Sequence, residues 1–211
     1  MKIIKPSVEI MDEWNPLTQE NVLAHLERCG RTCYKSEGKI GDGTAEKFIA
    51  GIIKRGHESV LEHVSFTVRF ICDRGVTHEI VRHRLASYSQ ESTRYCRYSD
   101  DCFGNEITVI EPLFFEKGTV EYHIWENACK QAEDAYTRLM DKGAKPEQAR
   151  SVLPNSLKTE LCMTANLREW RTVLKLRTSP AAHPQIREVM GMLLAELKDR
   201  LPVVFGDIAD A

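Results

Sequence analysis

Residues 64–95 read VSFTVRFICDRGVTHEIVRHRLASYSQESTRY. Val64, Phe66, Val68, Phe70 and Cys72 occupy alternate positions, the period of side chains on one face of a strand, so 64–73 predicts a strand with one buried face. Arg74-Gly75 then leads into VTHEIVRHRLA, which predicts a helix of about three turns with Glu79, Arg82 and His83 on one face by their i, i+3, i+4 spacing. The strand would position the helix. The helix would deliver at its C-terminal end, where the macrodipole favours cations, the polar run Arg82 to Tyr95. That run suits neither a core nor an ordinary solvated face. Arginine forks and the hydroxyls of Ser87, Ser89, Ser92 and Thr93 are donors suited to an anionic ligand, the plainer alternative being a polar loop that caps a helix.

Upstream, Lys2 to Met11 reads as a first strand, placed at a sheet edge by Pro6, and Asn15-Pro16 breaks the chain. Val22, Leu23, Leu26 and Cys29 predict a helix over 18–31 ended near Gly30, and 35–43 predicts a mobile loop. A second helix, 44–55, has Phe48, Ile52 and Ile53 on one face and Gly56 as its C-terminal cap. Downstream, CRYSDDCFGNE predicts an irregular exposed loop, and ITVIEP a short strand stopped by Pro112. The stripe Ile124, Trp125, Ala128, Cys129, Ala132, Ala135, Tyr136, Leu139 and Met140 predicts a long helix over 120–142, ended by Gly143, with a packing role in the core or between subunits. PEQARSVLP gives a short helix starting at Pro146, TELCMTANL a strand, and LREWRTVLKLR a helix whose Arg168, Arg171 and Arg177 must reach outward or hold a partner. A last helix, 185–200, turns Ile186, Val189, Met190, Leu193 and Leu197 inward.

The chain has 211 residues, enough for a full core, with one domain over 1–211 as the default. A net charge of -2 gives no global field to attract nucleic acid or an acidic membrane, so anion binding must come from local clusters. Seven scattered cysteines (Cys29, Cys33, Cys72, Cys96, Cys102, Cys129 and Cys162) lack zinc-ribbon pairing and read as reduced thiols. The apolar part of MKIIKPSVEIM is too short for a signal peptide, and no run approaches the roughly 20 residues that span a bilayer. The expectation is a soluble, cytoplasmic protein.

Arg82-His83-Arg84, seven intervening residues and Ser92 resemble the signature of the flavin-dependent thymidylate synthases. HESVLEH (57–63) resembles that family's histidine-containing segment, ARSVLP (149–154) its arginine helix, and NLREWRTVLKLR (166–177) its late segment ending on the reaction-centre arginine. The landmarks run from about residue 44 to residue 186. Many members have asparagine and glutamate where this chain has Ser89 and Gln90, which turns a carboxylate contact into an amide contact, and glutamine where it has Glu79.

The resemblance implies an α+β fold with a central mixed or antiparallel sheet flanked by helices. It implies transfer of a methylene group from 5,10-methylenetetrahydrofolate to C5 of dUMP, with reduction through FAD re-reduced by NADPH, to give dTMP. By motif, Ser59, Arg82, His83, Arg84, Gln90, Asn166, Leu167, Arg168 and Thr172 would contact FAD. Glu79, Arg82, Glu91, Ser92, Thr93, Arg94, Arg150 and Arg177 would hold dUMP, and His57 would line the folate or flavin side. Arg177 would be catalytic: a cation beside the uracil N3 and carbonyl favours ionisation and makes C5 more nucleophilic. A homotetramer with shared active sites is implied as well. A cysteine route would fall to Cys96, which has no evident base beside it in the sequence.

Two other classes compete. SYSQESTRYCRYS interleaves aromatic and cationic residues as single-stranded nucleic-acid platforms do, although Glu91, Asp100 and Asp101 oppose it. His57, His63, His78 and His83 could serve a metal-dependent hydrolase, but six residues from His57 to His63 matches no strong zinc spacing, and the expected metal content is none.

Overall fold

The computed structural model describes residues 1–11, 18–98, 100 and 104–210. Six strands are described: β1 (Lys2–Ile4), β2 (Ser7–Ile10), β3 (Ser65–Asp73), β4 (Ala86–Gln90), β5 (Thr108–Ile110) and β6 (Lys158–Asn166). The helices are α1 (Gln19–Tyr34), α2 (Thr44–Lys54), α3 (Arg74–Ile80), α4 (Val120–Asp141), α5 (Pro146–Ala149), α6 (Leu167–Arg177), α7 (Pro184–Arg200) and α8 (Pro202–Phe205), with short 3-10 turns at Glu37–Lys39, Glu58–His63 and Arg150–Val152. β2, β3, β6 and β4 form one sheet in that order, and β1 pairs in parallel with β5, Ile3 opposite Val109. The class is α+β, as expected.

The chain divides into two compact units. The first holds Met1–Ser7, Phe70–Arg82 and Ser89–Cys162, the second Val8–Arg69, His83–Tyr88 and Met163–Ala211. The first is built around Ile107, Val109, Tyr136, Met140 and Leu157, with Cys96 and Trp125 packed at the margin. In the second, Phe66 of β3 stacks on Trp170 of α6 at 5.1 Å between ring centres, a contact worth about 1 kcal/mol beyond its buried area. Trp170 is fully buried and its indole N–H donates to the Phe66 carbonyl. Helix α7 buries Ile186, Val189, Met190, Leu193 and Leu197, the face expected from their spacing.

Both long strands alternate as their sequence requires, β3 burying Phe66, Val68, Phe70 and Cys72, and β6 burying Thr159, Leu161, Met163 and Ala165. Each feeds a helix capped by its own last side chain. Asp73 Oδ1 accepts from Val76 N–H at 2.8 Å to start α3, and Asn166 Oδ1 accepts from Glu169 N–H at 2.9 Å to start α6.

Several expectations are corrected. The first strand is two strands, because Pro6 has no N–H and a fixed φ and so interrupts the ladder. Gly30 does not end α1, which runs on to Tyr34 and stops at Lys35 in the left-handed region, φ 47°. Gly30 is instead where the helix passes the Phe48 ring. The helix after β3 ends at Ile80, two residues short of Arg82, so Arg82 and His83 lie in the turn and strand β4 takes Ala86–Gln90. Their shared helical face with Glu79 does not form. On α4 the stripe is only partly covered: Cys129, Tyr136 and Met140 are buried, whereas Ile124 is 65% exposed. The break at Asn15-Pro16 and the centre of the 96–106 loop lie outside the described residues. Among the described residues no helix is long and apolar enough to cross a membrane, and the six cysteines are free thiols.

Candidate functional site

In the first unit, α3 ends in a turn in which Arg82 N–H donates to the Glu79 carbonyl at 3.2 Å, leaving the Arg82 side chain exposed. β4 then carries Gln90 into the sheet, where its amide donates to the hydroxyls of Thr77 (3.0 Å) and Thr159 (3.3 Å), both fully buried. A carboxylate could not donate to either threonine oxygen. The amide at position 90 is thus matched by two hydroxyls, a complement invisible in the local sequence.

The loop that follows is held by side chains from distant elements. Glu91 accepts from Tyr98 O–H at 2.8 Å and from Lys158 Nζ at 2.9 Å, and Lys158 also donates to Glu160 at 2.6 Å. Burial works against the Lys158 charge, but the bonds to Glu160 and Glu91 outweigh it and raise its pKa. Tyr98 is pushed up by burial and by the Glu91 charge, which keeps it a donor. Thr93 is buried and its hydroxyl accepts from Arg150 Nη1 at 3.3 Å. The Ser92 hydroxyl accepts from Arg94 N–H at 3.3 Å, which curls the loop, while the Arg94 side chain is exposed and 3.8 Å from Glu147. Glu91, Ser92, Thr93, Arg94 and Arg150 are therefore brought into one loop-centred group. Arg74, at the start of α3, has a buried Nη1 with no hydrogen-bond partner among the described residues.

In the second unit, Arg177 Nε donates to His83 Nε2 at 3.1 Å. His83 is 8% exposed and its Nδ1 lies 3.7 Å from Glu169 Oε1. Burial and the Arg177 charge both lower its pKa, so the imidazole is held neutral. Tyr88 O–H donates to the His83 carbonyl, and burial with the Glu169 charge pushes its pKa up to about 12. Arg84 and Ser59 are exposed. Arg168 pairs with Glu62 at 2.5 Å, and Thr172, one turn further along the same exposed side of α6, bonds the Arg168 carbonyl. Asn166 spends its side-chain oxygen on the α6 cap. Leu167 is fully buried and its N–H donates to the Val64 carbonyl at 2.9 Å. The two histidine-segment ends separate: His57 Nδ1 is 3.0 Å from the Tyr34 hydroxyl, and His63 is exposed.

Arg171 departs from the expectation of a cation reaching outward. It is 1% exposed, with Asp207 at 2.6 and 2.8 Å, Glu58 at 3.2 and 3.3 Å, and the Val204 carbonyl as acceptors. It ties α6 to the turn holding Ser59 and to the C-terminal segment.

Sequence reasoning passed over Lys158, Thr77, Thr159, Tyr88 and Glu169. The last stands inside the quoted 166–177 segment, three residues after its capping asparagine, a position that ordinarily needs no explanation beyond helix initiation. Among the described residues no group of three or more His, Cys, Asp or Glu side chains is gathered to hold a metal ion. Cys96 is half-buried against the core of the first unit.

The donor sets divide in kind. The first unit offers guanidinium groups and hydroxyls at Arg94, Arg150, Ser92 and Thr93, chemistry that fits the oxygens of a nucleotide phosphate. The second offers exposed Arg84 and Arg168, the exposed hydroxyls of Ser59 and Thr172, and Leu85 at 74% exposure. These are cations, hydroxyls and an apolar side chain at the surface, with Arg168 paired to Glu62.

Residues 17–203 match the family described as Thy1, thymidylate synthase complementing protein. A flavin-dependent thymidylate synthase of Pyrococcus furiosus is 34% identical over 186 residues, which cover 88% of this chain and 75% of the relative. That of Geobacter sulfurreducens is 35% identical over 191 residues, 87% and 81% of the two chains. A probable flavin-dependent thymidylate synthase of Mycobacterium phage L5 is 36% identical over 198 residues, 87% and 79%. In fold, the chain is similar to the UMP/dUMP methylase PolB of Streptomyces cacaoi, solved with 5-Br dUMP. The TM-score is 0.78 at 23% identity, covering 98% of this chain and 96% of that one.

Proposed function

Because the chain belongs to the flavin-dependent thymidylate synthase family, we propose that it converts dUMP to dTMP with 5,10-methylenetetrahydrofolate as carbon donor, FAD as cofactor and NADPH as reductant. The observation that carries this reading is the family match over 17–203, which contains every residue of the arginine and hydroxyl sets described above. Bound FAD, re-reduced by NADPH, supplies the hydride that the transferred carbon needs.

The chain's own residues then have separable tasks. Arg94, Arg150, Arg82, Ser92 and Thr93 hold the nucleotide, with Glu79 and Glu91 beside them. The Lys158 and Tyr98 bonds to Glu91 offset a carboxylate that would otherwise repel the phosphate. Arg177 acts on the uracil edge, its cation favouring charge on N3 and the carbonyl. His83 orients it as a neutral acceptor. By the family motifs Ser59, Arg82, His83, Arg84, Gln90, Asn166, Leu167, Arg168 and Thr172 contact FAD, and His57 lines the folate or flavin side. The chain works as a single family domain in a cytoplasmic homotetramer whose sites are shared between subunits.

The purified protein tests this directly. It should be yellow, or become so with FAD, and NADPH should bleach the flavin faster when dUMP is present. A colourless protein that ignores FAD yet retains single-stranded nucleic acid with steep salt dependence would replace this reading with the stacking-platform one.

A further inference from the structure

The bond from Arg177 to His83 shows which nitrogen of the imidazole carries its proton. A guanidinium Nε can only donate, so His83 Nε2 must present a lone pair to accept at 3.1 Å. The ring proton of the neutral imidazole therefore sits on Nδ1. Glu169 Oε1 stands 3.7 Å from that nitrogen, beyond a direct hydrogen bond but close enough for its charge to favour the proton there. Both side chains are largely withdrawn from solvent, His83 8% and Glu169 11% exposed, which strengthens the interaction relative to a surface pair. Tyr88 O–H donates to the His83 carbonyl, which anchors the backbone from which the ring extends.

We propose that Glu169 is a positioning residue for Arg177, acting through the Nδ1–H tautomer of His83. In this arrangement the carboxylate sets the tautomer, the tautomer supplies the acceptor, and the acceptor aligns the guanidinium. With the other tautomer, Nε2–H would face Nε–H and the guanidinium would swing away. The proposal rests on the reading that Arg177 works on the uracil ring. It also departs from the simpler view of Glu169 as a residue of the first helical turn, which would affect stability alone.

Two measurements decide it. Nitrogen-15 NMR of histidine-labelled protein, needing no catalysis, should show His83 protonated at Nδ1 and bare at Nε2 at neutral pH, with Glu169→Ala shifting it toward the other tautomer. Steady-state kinetics should show Glu169→Ala lowering kcat about 10-fold with the KM for dUMP within about 3-fold, less than the roughly 10⁴-fold loss where a carboxylate bonds the imidazole directly, because Glu169 acts across 3.7 Å. Glu169→Gln, close to isosteric but uncharged, should show the same loss and the same tautomer shift, and serves if the alanine variant folds poorly. In an Arg177→Ala background Glu169→Ala should cost nothing further, since residues acting through one another are not additive. Equal losses in both backgrounds, or an unchanged tautomer in Glu169→Ala, would overturn the proposal. A wild type that makes no dTMP would instead defeat the functional reading, while the tautomer measurement would still stand.

Discussion

Arg177 Nε donates to His83 Nε2 at 3.1 Å, joining the last turn of α6 to the middle residue of the Arg82-His83-Arg84 triplet. The bond requires a neutral imidazole, and burial together with the Arg177 charge holds the His83 pKa below its ordinary value of 6.5. The unfolded chain therefore takes up this proton more readily than the folded one. The stability contributed by keeping His83 neutral is complete above about pH 6.5 and declines as pH falls toward the lowered folded value. Urea unfolding between pH 7 and pH 5 should show a smaller loss of stability in His83→Asn than in wild type. Parallel slopes would contradict the assignment.

Arg171 gives a dependence of the same sign at lower pH. Its bonds hold the Asp207 carboxyl below the usual carboxylate range, so this interaction stabilises the fold above pH 3.8 and is lost as pH falls through the depressed value. Arg171→Ala leaves Glu58 and Asp207 facing an emptied buried site and should cost about 3 kcal/mol near neutrality. Asp207→Asn should cost less, about 1 kcal/mol, because Asp207 is 49% exposed and already screened by solvent. Denaturant titration at pH 7 checks both, and equal effects would argue that the Arg171 pairing with Glu58 contributes nothing.

Gly30 sits inside α1, where alanine is intrinsically favoured by up to about 1 kcal/mol. A Cβ there would lie 2.6 Å from Phe48 Cε1 and 3.3 Å from Val60 Cγ1. The Phe48 ring is not free to retreat, with Arg31 over its face at 4.4 Å and Tyr34 at its edge. Overpacking should win, so Gly30→Ala is expected to lose about 1–2 kcal/mol in thermal or urea unfolding. A stabilised variant would show that α1 and α2 can separate at little cost.

Ser92→Ala removes a hydroxyl from the loop that groups Arg94, Thr93 and Arg150. Equilibrium binding should show dUMP weakened about 10-fold, the loss of one hydrogen bond to a charged group, with flavin content unchanged. Normal dUMP affinity with complete loss of chemistry would point instead to a nucleophilic serine.

The alternation in 64–73 placed β3, and the stripe in 120–142 placed α4, because those patterns record a buried face directly. The end of α3 was not legible. VTHEIVRHRLA contains no breaker after Gly75, and what stops the helix at Ile80 is the sheet that claims Ala86–Gln90 as β4. The site divides the same way. Arg82, His83, Arg84, Ser92 and Arg177 announce themselves by motif. Lys158 beneath Glu91, the two threonines matched to Gln90, and Glu169 beside His83 depend on segments that meet only in the folded chain. The burial of Arg171 was hidden for that reason too: its acceptors stand in the 58–63 turn, in α8 and just beyond it.

The central claim is dTMP formation with Arg177 at the reacting ring. Wild type and Arg177→Ala, each loaded with FAD and supplied with NADPH, methylenetetrahydrofolate and dUMP, should be assayed for dTMP alongside their flavin content. The wild type should form dTMP, and the variant should keep its flavin while losing about 100-fold or more in turnover, the scale of removing a donor from a developing anion. A wild type that forms no dTMP, or a variant that turns over at the wild-type rate, would contradict it.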